Sequence, residues 1–256
     1  MVRDVSVVKL NMFDFKAVFE PNDYLYFYSQ GLTQQRTNRE VKFLIKHLTF
    51  TKKMDILDLA CGHGRHSNCL AGLGYNITGV DITKGFLDIA KKEARKRKLK
   101  VKYIRQDMRK INYKEKFDRV LLLFTAIGYF DDKTNLKVLR NIACALKPKG
   151  LLCFDTFNRD AFFKKYLPYI VSEKGKDLMI DIHSYDEKTK RLYNKRIVIR
   201  DGKRKDKPFF VRLYNPDEIK SELRKAGMKV FKMFADWDGK LFTKKSRRMI
   251  IVAQKI

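Results

Sequence analysis

From Asp55 to Phe157, short apolar runs alternate with amphipathic stretches. That rhythm belongs to βαβ units wrapped on a parallel sheet. Met54–Leu59 predicts a first buried strand. A glycine-bearing turn follows, then a helix from about Arg65 to Leu73, closed by Gly74. Asn76–Val80 predicts a second strand that stops at Asp81. Thr83 stands in N-cap position for the next helix, whose apolar face is Phe86, Leu87, Ile89 and Ala90. Val101–Ile104 predicts the third strand, closing near Asp107. Arg119–Phe124 predicts the fourth, almost uniformly apolar as a central parallel strand should be. Asn135–Leu146 has helical periodicity until Pro148 and Gly150 break it, and Leu151–Phe154 predicts the fifth strand.

The rhythm then changes. Met179–Tyr185, Arg191–Arg200 and Pro208–Tyr214 read as β segments separated by polar turns, an antiparallel insertion after strand five. Asn215-Pro216-Asp217 opens a helix with core residues Ile219, Leu223 and Ala226, stopped by Gly227. Two last strands follow, near Lys229–Phe234 and Met249–Ala253. Before the sheet, Phe13 to Tyr28 is rich in aromatics and Thr33–Leu48 predicts an amphipathic helix. The expected division is 1–50 as an N-terminal aromatic segment and capping helix, and 51–158 as the sheet core. Residues 159–214 are expected as the antiparallel insertion (a lid or an interface), and 215–256 as the helix and strands that complete the core.

A hydrophobic fraction of 45% supplies a full core and excludes a disordered chain. No apolar run approaches the roughly 20 residues of a membrane span, and Met1 to Leu10 lacks the pattern of a secretory signal. Cys61, Cys69, Cys144 and Cys153 form no C-x-x-C pair. Neither a metal site nor a disulfide framework is expected, and reduced thiols in a cytoplasm fit; Cys61, Cys144 and Cys153 are expected to pack as small hydrophobes. The charge is unusual: 57 Lys and Arg against 29 Asp and Glu give +28. Such a surface attracts polyanions, nucleic acid first, while a merely solvated lysine-rich surface is the plainer alternative.

The candidate chemistry lies at the first turn, Asp58-Leu-Ala-Cys-Gly62-His-Gly64-Arg-His66. Glycine lets backbone approach a ligand where a Cβ would collide. A strand-to-helix turn at the carboxyl edge of a parallel sheet is where open α/β sheets bind ligands. Asp81, roughly 20 residues on, ends the second strand where a carboxylate can take both ribose hydroxyls. A nicotinamide fingerprint would need a third glycine, but the sixth position from Gly62 is Ser67; no G-K-[ST] follows for a P-loop either. Taken singly, Asp81 also reads as an N-cap and Asp107 as a turn residue.

Asp58 through Gly64 resembles motif I of the class I S-adenosylmethionine-dependent methyltransferases. Val80-Asp81, Gln106-Asp107-Met108, Phe117-Asp118 and Ala145-Leu-Lys-Pro-Lys-Gly150 follow in the family's order. The likeness covers about Thr33 to Ala253. It is narrower toward small-molecule-type members, which share G-x-G-R-H, Gly128-Tyr-Phe130, Asp155 and Asn158, an L-Y-x-P-x-E-like stretch (Leu213 to Glu218), and Asp236 to Gly239. Ala60 and Lys149 replace glycines of the family pattern. The resemblance implies a Rossmann-like fold, S-adenosylmethionine as cofactor and S-adenosylhomocysteine as product. It implies that Asp58, Ala60, Cys61, Gly62 and Gly64 face the methionine and ribose, and that Asp81 binds the ribose. Ile82 would pack on the adenine, Asp107 and Met108 would bind its edge, and Leu123, Phe124 and Thr125 would flank the methyl group. Arg36 is a candidate for the methionine carboxylate, or an exposed helix charge.

Displacement at a sulfonium methyl needs alignment and dryness, and a base only where the acceptor keeps its proton. His63 and Tyr129 are the catalytic candidates, with His66 more readily a support of the turn. The missing N-P-P-[YF], Pro-Cys and K-D-K-E patterns set aside adenine-amino, cytosine-C5 and ribose methylation. Three functions are expected in order: a small-molecule methyltransferase with the insertion as lid, an RNA methyltransferase using the basic stretches Lys91–Lys102 and Arg200–Lys207, and a non-catalytic binding module. Oligomeric state is not legible.

Overall fold

The computed structural model describes residues 13–256, so the expectation for Met1 to Leu10 lies outside the described residues. Two short helices, α1 (Phe15–Val18) and α2 (Pro21–Tyr28), precede α3 (Gln34–His47), which Thr33 caps through its hydroxyl. The core then runs β1 (Asp55–Leu59), α4 (Arg65–Gly72), β2 (Asn76–Asp81), α5 (Lys84–Lys96), β3 (Val101–Arg105), β4 (Phe117–Leu122), α6 (Asp132–Ala145) and β5 (Leu146–Phe157). After α7 (Arg159–Phe162) come the strands of the insertion: β6 (Tyr169–Lys174), β7 (Asp177–Asp186), β8 (Arg191–Arg200), β9 (Lys203–Asp206) and β10 (Phe209–Arg212). The chain returns through α8 (Pro216–Lys225), β11 (Met228–Phe234) and β12 (Arg248–Lys255).

The main sheet has strand order β11-β12-β5-β4-β1-β2-β3, with the inner strands parallel and β11 and β12 antiparallel. Alternate residues of one strand feed opposite layers. Ile56, Leu121 and Cys153 pack with Val41, Phe43 and Leu44 of α3 on one face; Leu57, Leu122 and Leu152 pack with α6 and α8 on the other. Both faces are therefore buried, which is why these strands read as apolar runs and not as an alternation. The chain order reverses between β1 and β4, and the cleft outside their carboxyl ends is the ligand position of such sheets.

The insertion is a second, antiparallel sheet of order β10-β8-β7-β6, with β9 paired to β8. Two of its strands, β6 and β9, were not anticipated. The helix α2 ties this sheet to the core. Asp23, buried, accepts from Lys207 at 2.6 Å, Arg200 at 3.1 Å and Lys205 at 3.2 Å. On the core side, the Tyr24 ring meets Phe86 of α5 edge-on at 5.3 Å. Other expectations need correction. Cys144 is exposed, being on the outer side of α6, whereas Cys61 and Cys153 are buried. Thr83 occupies the N-cap of α5 without a side-chain cap bond; its backbone N–H is donated to Asp81 instead. The fifth strand starts at Leu146 and so runs through Pro148 and Gly150.

Candidate active site

Past β1 the backbone turns sharply: Ala60, Gly62 and Gly64 all have left-handed φ, of 55°, 54° and 75°. The glycines serve different ends. A Cβ on Gly62 would meet nothing within 4 Å, so that position lies open beside the ligand cavity. A Cβ on Gly64 would strike the Tyr103 hydroxyl at 2.3 Å and Ala90 at 2.8 Å, so Gly64 lets α4 pack closely. The turn is pinned by two buried carboxylates. Asp58 accepts from Ser67 Oγ at 2.6 Å. Asp81 accepts from the Gly62 N–H through one oxygen and the Thr83 N–H through the other, both at 2.8 Å. Burial raises the pKa of each, against which these donors act. One lone pair on each Asp81 oxygen is left for a ligand.

The cavity in front of this turn has a volume of about 460 Å³ and lies between the β1 and β4 ends, the α1–α2 segment and the insertion. Asp58, Ala60, Cys61, Gly62, His63, Asp81, Ile82, Met108, Leu123, Phe124 and Tyr129 all line it. A side pocket of about 40 Å³ continues between Ile82, Met108, Phe15, Phe130 and Asp107. Its surface is mostly apolar; Ile82, 40% exposed, forms part of its wall. Asp107 is half-buried there, and burial alone would raise its pKa. The bonds from Arg109, at 2.5 Å to 3.0 Å, outweigh that and hold it below the ordinary carboxylate value. Its turn role also holds, since it caps the short 3-10 turn Met108–Lys110.

Two candidates fall elsewhere. Gly64 is not among the lining residues, for the packing reason above. Arg36 is also absent from them: Nε binds Glu40 at 2.8 Å and Nη1 the Gly31 carbonyl at 3.0 Å. Arg65, one residue past the turn, does line the cavity. Glu40, which sequence reasoning missed, organises all of them. It is 1% exposed and lies 2.5 Å from Arg65, 2.8 Å from His66 and 2.8 Å from Arg36. Burial pushes its pKa up, but His66 and Arg65 outweigh burial and hold it far below the usual range. His66 is thus a support of the turn. His63 has its pKa lowered to about 4 by burial and by the nearby charges of Arg65 and His66, so its ring is neutral at pH 7.

The β4 end forms the opposite wall. Phe124 and Thr125 are both left-handed, with φ 65° and 57°, a conformation costing bulky residues about 1–2 kcal/mol each. Buried Asp155 holds them there, accepting the Phe124 N–H at 2.6 Å and pairing with Arg248. The Phe124 ring is flanked by Arg36 and Arg65 at 5.1 Å and 5.7 Å from its centroid. Tyr129 packs on Phe13 and Phe19, and burial raises its pKa well above that of a free phenol.

The chain is similar to known proteins in the same terms. A family model described as a methyltransferase domain matches residues 56–150, from β1 to the start of β5's buried half. YqeM of Bacillus subtilis (strain 168) is 24% identical over 211 residues, 80% of this chain and 85% of that protein. The ubiquinone biosynthesis O-methyltransferase of Coxiella burnetii is 33% identical over 132 residues; the match spans 51% of this chain and 54% of that enzyme, about half of each. A crystal structure of an S-adenosylmethionine-dependent methyltransferase from Clostridium acetobutylicum shares the fold, with TM-score 0.78 and 20% identity over 91% of this chain and 98% of that one. The cleft suits that cofactor: an open glycine edge, a carboxylate with lone pairs to spare, and a mostly apolar side pocket beyond it. Residues 56–150 thus match a methyltransferase domain, and the chain as a whole has the class I, Rossmann-like fold of S-adenosylmethionine-dependent methyltransferases.

Proposed function

We propose that this enzyme methylates a small molecule held under the antiparallel insertion. The observation that carries the proposal is the cavity itself. About 460 Å³ lies between the cofactor turn and the inner face of the insertion, a cleft of small-molecule size that reaches past the cofactor residues to Asp181, His183 and Phe209 of the insertion. A relative named for ubiquinone biosynthesis supports the same reading. In it, Asp81 takes the ribose hydroxyls, Ile82 and Met108 hold the adenine in the side pocket, and Asp107 and the Met108 N–H read its edge. Asp58, Ala60, Cys61 and Gly62 face the methionine part, and Arg65 replaces Arg36 as the cation on that side.

The bound cofactor supplies a methyl group on a sulfonium, a leaving group already activated. The protein's own part is alignment and exclusion of water. The left-handed Phe124–Thr125 corner sets the wall against which an acceptor lies. Phe19, Tyr24, Tyr28, Phe209 and Tyr129 line the rest with ring surface. The Asp23 cluster keeps α2 fastened to the insertion, so the acceptor side is roofed by both.

RNA is the second reading, since the net charge is +28. Of its two basic stretches, the one at 200–207 is largely engaged: Arg200, Lys205 and Lys207 on Asp23, and Arg204 on Asp206. The basic residues from Lys91 to Lys102 on α5 and beyond are exposed. No helix among the described residues is long and apolar enough to cross a membrane; a cytoplasmic enzyme fits this reading. The test is transfer from methyl-labelled cofactor into a mixed pool of metabolites and RNA. Label is expected in the small-molecule fraction, and label in RNA alone would overturn the proposal.

A further inference from the structure

The inner face of the insertion carries a polar group that the cofactor does not use. On the antiparallel pair β7–β8, His183 stands opposite Asn194, and Asp181 stands opposite Arg196. All four line the cavity. Opposed side chains on such a pair start about 5 Å apart. Two of the four satisfy each other: Arg196 binds Asp181 at 2.7 Å and 2.9 Å, with a third bond to Tyr28 Oη at 2.8 Å.

The other two are left with empty acceptors. His183 Nδ1 lies 3.0 Å from the Leu167 carbonyl oxygen. A carbonyl can only accept, so Nδ1 carries a proton, and a ring with no second proton presents Nε2 as a bare acceptor. Nε2 has no hydrogen bond among the described residues. Beside it, Asn194 is 4% exposed, and its Oδ1 is buried without a hydrogen-bond partner. Leaving the buried Asn194 Oδ1 unpaired is costly, and a ligand bringing two neighbouring donors would satisfy it together with the more open His183 Nε2. Aromatic rings lie beside this pair: Phe209 is the strand neighbour of Asn194, and the Phe209 ring lies 6.5 Å from that of Tyr129.

Resting on the small-acceptor reading, we infer that the acceptor is a ring compound with two neighbouring hydroxyls, and that His183 is the base that takes the proton from the one methylated. Asn194 Oδ1 accepts from the other hydroxyl and fixes which oxygen reacts. In the step, the acceptor oxygen forms a bond to the methyl carbon as the carbon–sulfur bond breaks. The electron pair leaves with sulfur as a neutral thioether. The hydroxyl proton passes to His183 Nε2, so the single positive charge moves from sulfonium to imidazolium and is then lost to solvent as a proton. The groups around His183 suit this: Asp181 and Arg196 neutralise one another, and Tyr166, with its ring 6.3 Å away, and Tyr185 complete the surroundings. His63, in contrast, is crowded by Arg65 and His66 and holds a proton poorly.

The test uses the full chain with 1,2-dihydroxybenzene, its 1,3- and 1,4-isomers and aniline as probes. With methyl-labelled cofactor, the 1,2-isomer is expected to be methylated at least ten times faster than the others. His183→Gln should lower kcat by about 10²–10³-fold, and its kcat/KM should rise with pH along the probe's own ionisation. Asn194→Ala should raise KM and give mixed products on an unsymmetrical 1,2-diol such as 3,4-dihydroxybenzoate. Without turnover, in protein saturated with S-adenosylhomocysteine, the 1,2-isomer should shift the His183 Nε2 resonance in ¹⁵N spectra. Transfer to aniline alone, equal rates on the three isomers, no transfer to any probe, or wild-type kcat in His183→Gln would overturn the inference. If label enters some other small molecule, the small-acceptor reading stands while this inference falls; label only in RNA fells both.

Discussion

Replacing Glu40 by glutamine should unfold the supports of the cofactor turn from a distance. Glu40 is 1% exposed and faces three basic side chains: Arg65 at 2.5 Å, His66 at 2.8 Å and Arg36 at 2.8 Å. The partners differ in burial. Arg36 is 32% exposed, so that pair is screened and worth at most about 1 kcal/mol. Arg65 and His66 are 10% and 6% exposed, and the neutral amide leaves Arg65 buried without a counter-charge. Breaking a buried pair from one side costs about 3–5 kcal/mol. For a chain of this size that is a fall in Tm of roughly 6–20 °C. Arg36→Ala, which leaves the buried pairs in place, should cost about 1 kcal/mol or less. The pH dependence follows from the lowered pKa. A carboxylate held below its ordinary value of 4.5 adds stability that is fully present above that value and is lost as pH falls toward the folded-state value. The gap between wild type and Glu40→Gln should therefore persist from pH 7 to pH 5 and shrink below about 4.5. Urea unfolding at these pH values measures it. A gap under about 1 kcal/mol, or one that closes between pH 7 and pH 5, would refute the reasoning.

Other substitutions separate packing from binding. Gly64→Ala should destabilise by about 2–4 kcal/mol, because overpacking adds to a left-handed backbone, as the contacts at 2.3 Å and 2.8 Å require. Gly62→Ala, with open space around the new methyl, should cost only about 1 kcal/mol of stability yet weaken cofactor binding more than Gly64→Ala does per unit of stability lost; thermal unfolding and calorimetry on both variants check this. The His63 ring should titrate near 4 in ¹⁵N spectra of the folded protein. Because its folded value lies below the ordinary 6.5, the neutral ring adds stability above that value and loses it as pH falls toward 4. A midpoint above pH 6 would contradict the buried, cation-flanked placement.

Much of this site was written locally in the sequence. Glycines and acids at the ends of apolar runs locate the turn, Asp81 and Asp107 without knowledge of the third dimension, since strand ends and ligand edge coincide in this sheet. What was missed depends on contacts distant in sequence. Glu40 lies 26 residues before His66 and, with Arg36 at i−4, looks like a surface pair; only the packing of α3 on α4 buries it. The same packing explains why Arg36 is spent on Glu40 while Arg65 reaches the cavity. The strand β6 was unreadable because its Tyr169, Ile170 and Val171 run together without alternation and remain 65%, 43% and 52% exposed at a sheet edge. His183 sits in a segment recognised as β, but its role depends on facing Asn194 in register, and register is set by the hairpin's tertiary setting.

The central claim is that the cleft between β1 and β4 is a sulfonium-nucleoside site anchored by Asp81. Calorimetric titration of the wild-type protein and Asp81→Ala with S-adenosylmethionine, with NADH as control, tests it most directly. Two hydrogen bonds to a charged acceptor are worth about 1.5–3 kcal/mol each, so the variant should bind roughly 10²-fold more weakly or worse. Micromolar binding of S-adenosylmethionine alone, lost in the variant, is the predicted result. Equal affinity in the two proteins, or binding of NADH in place of S-adenosylmethionine, would contradict the account.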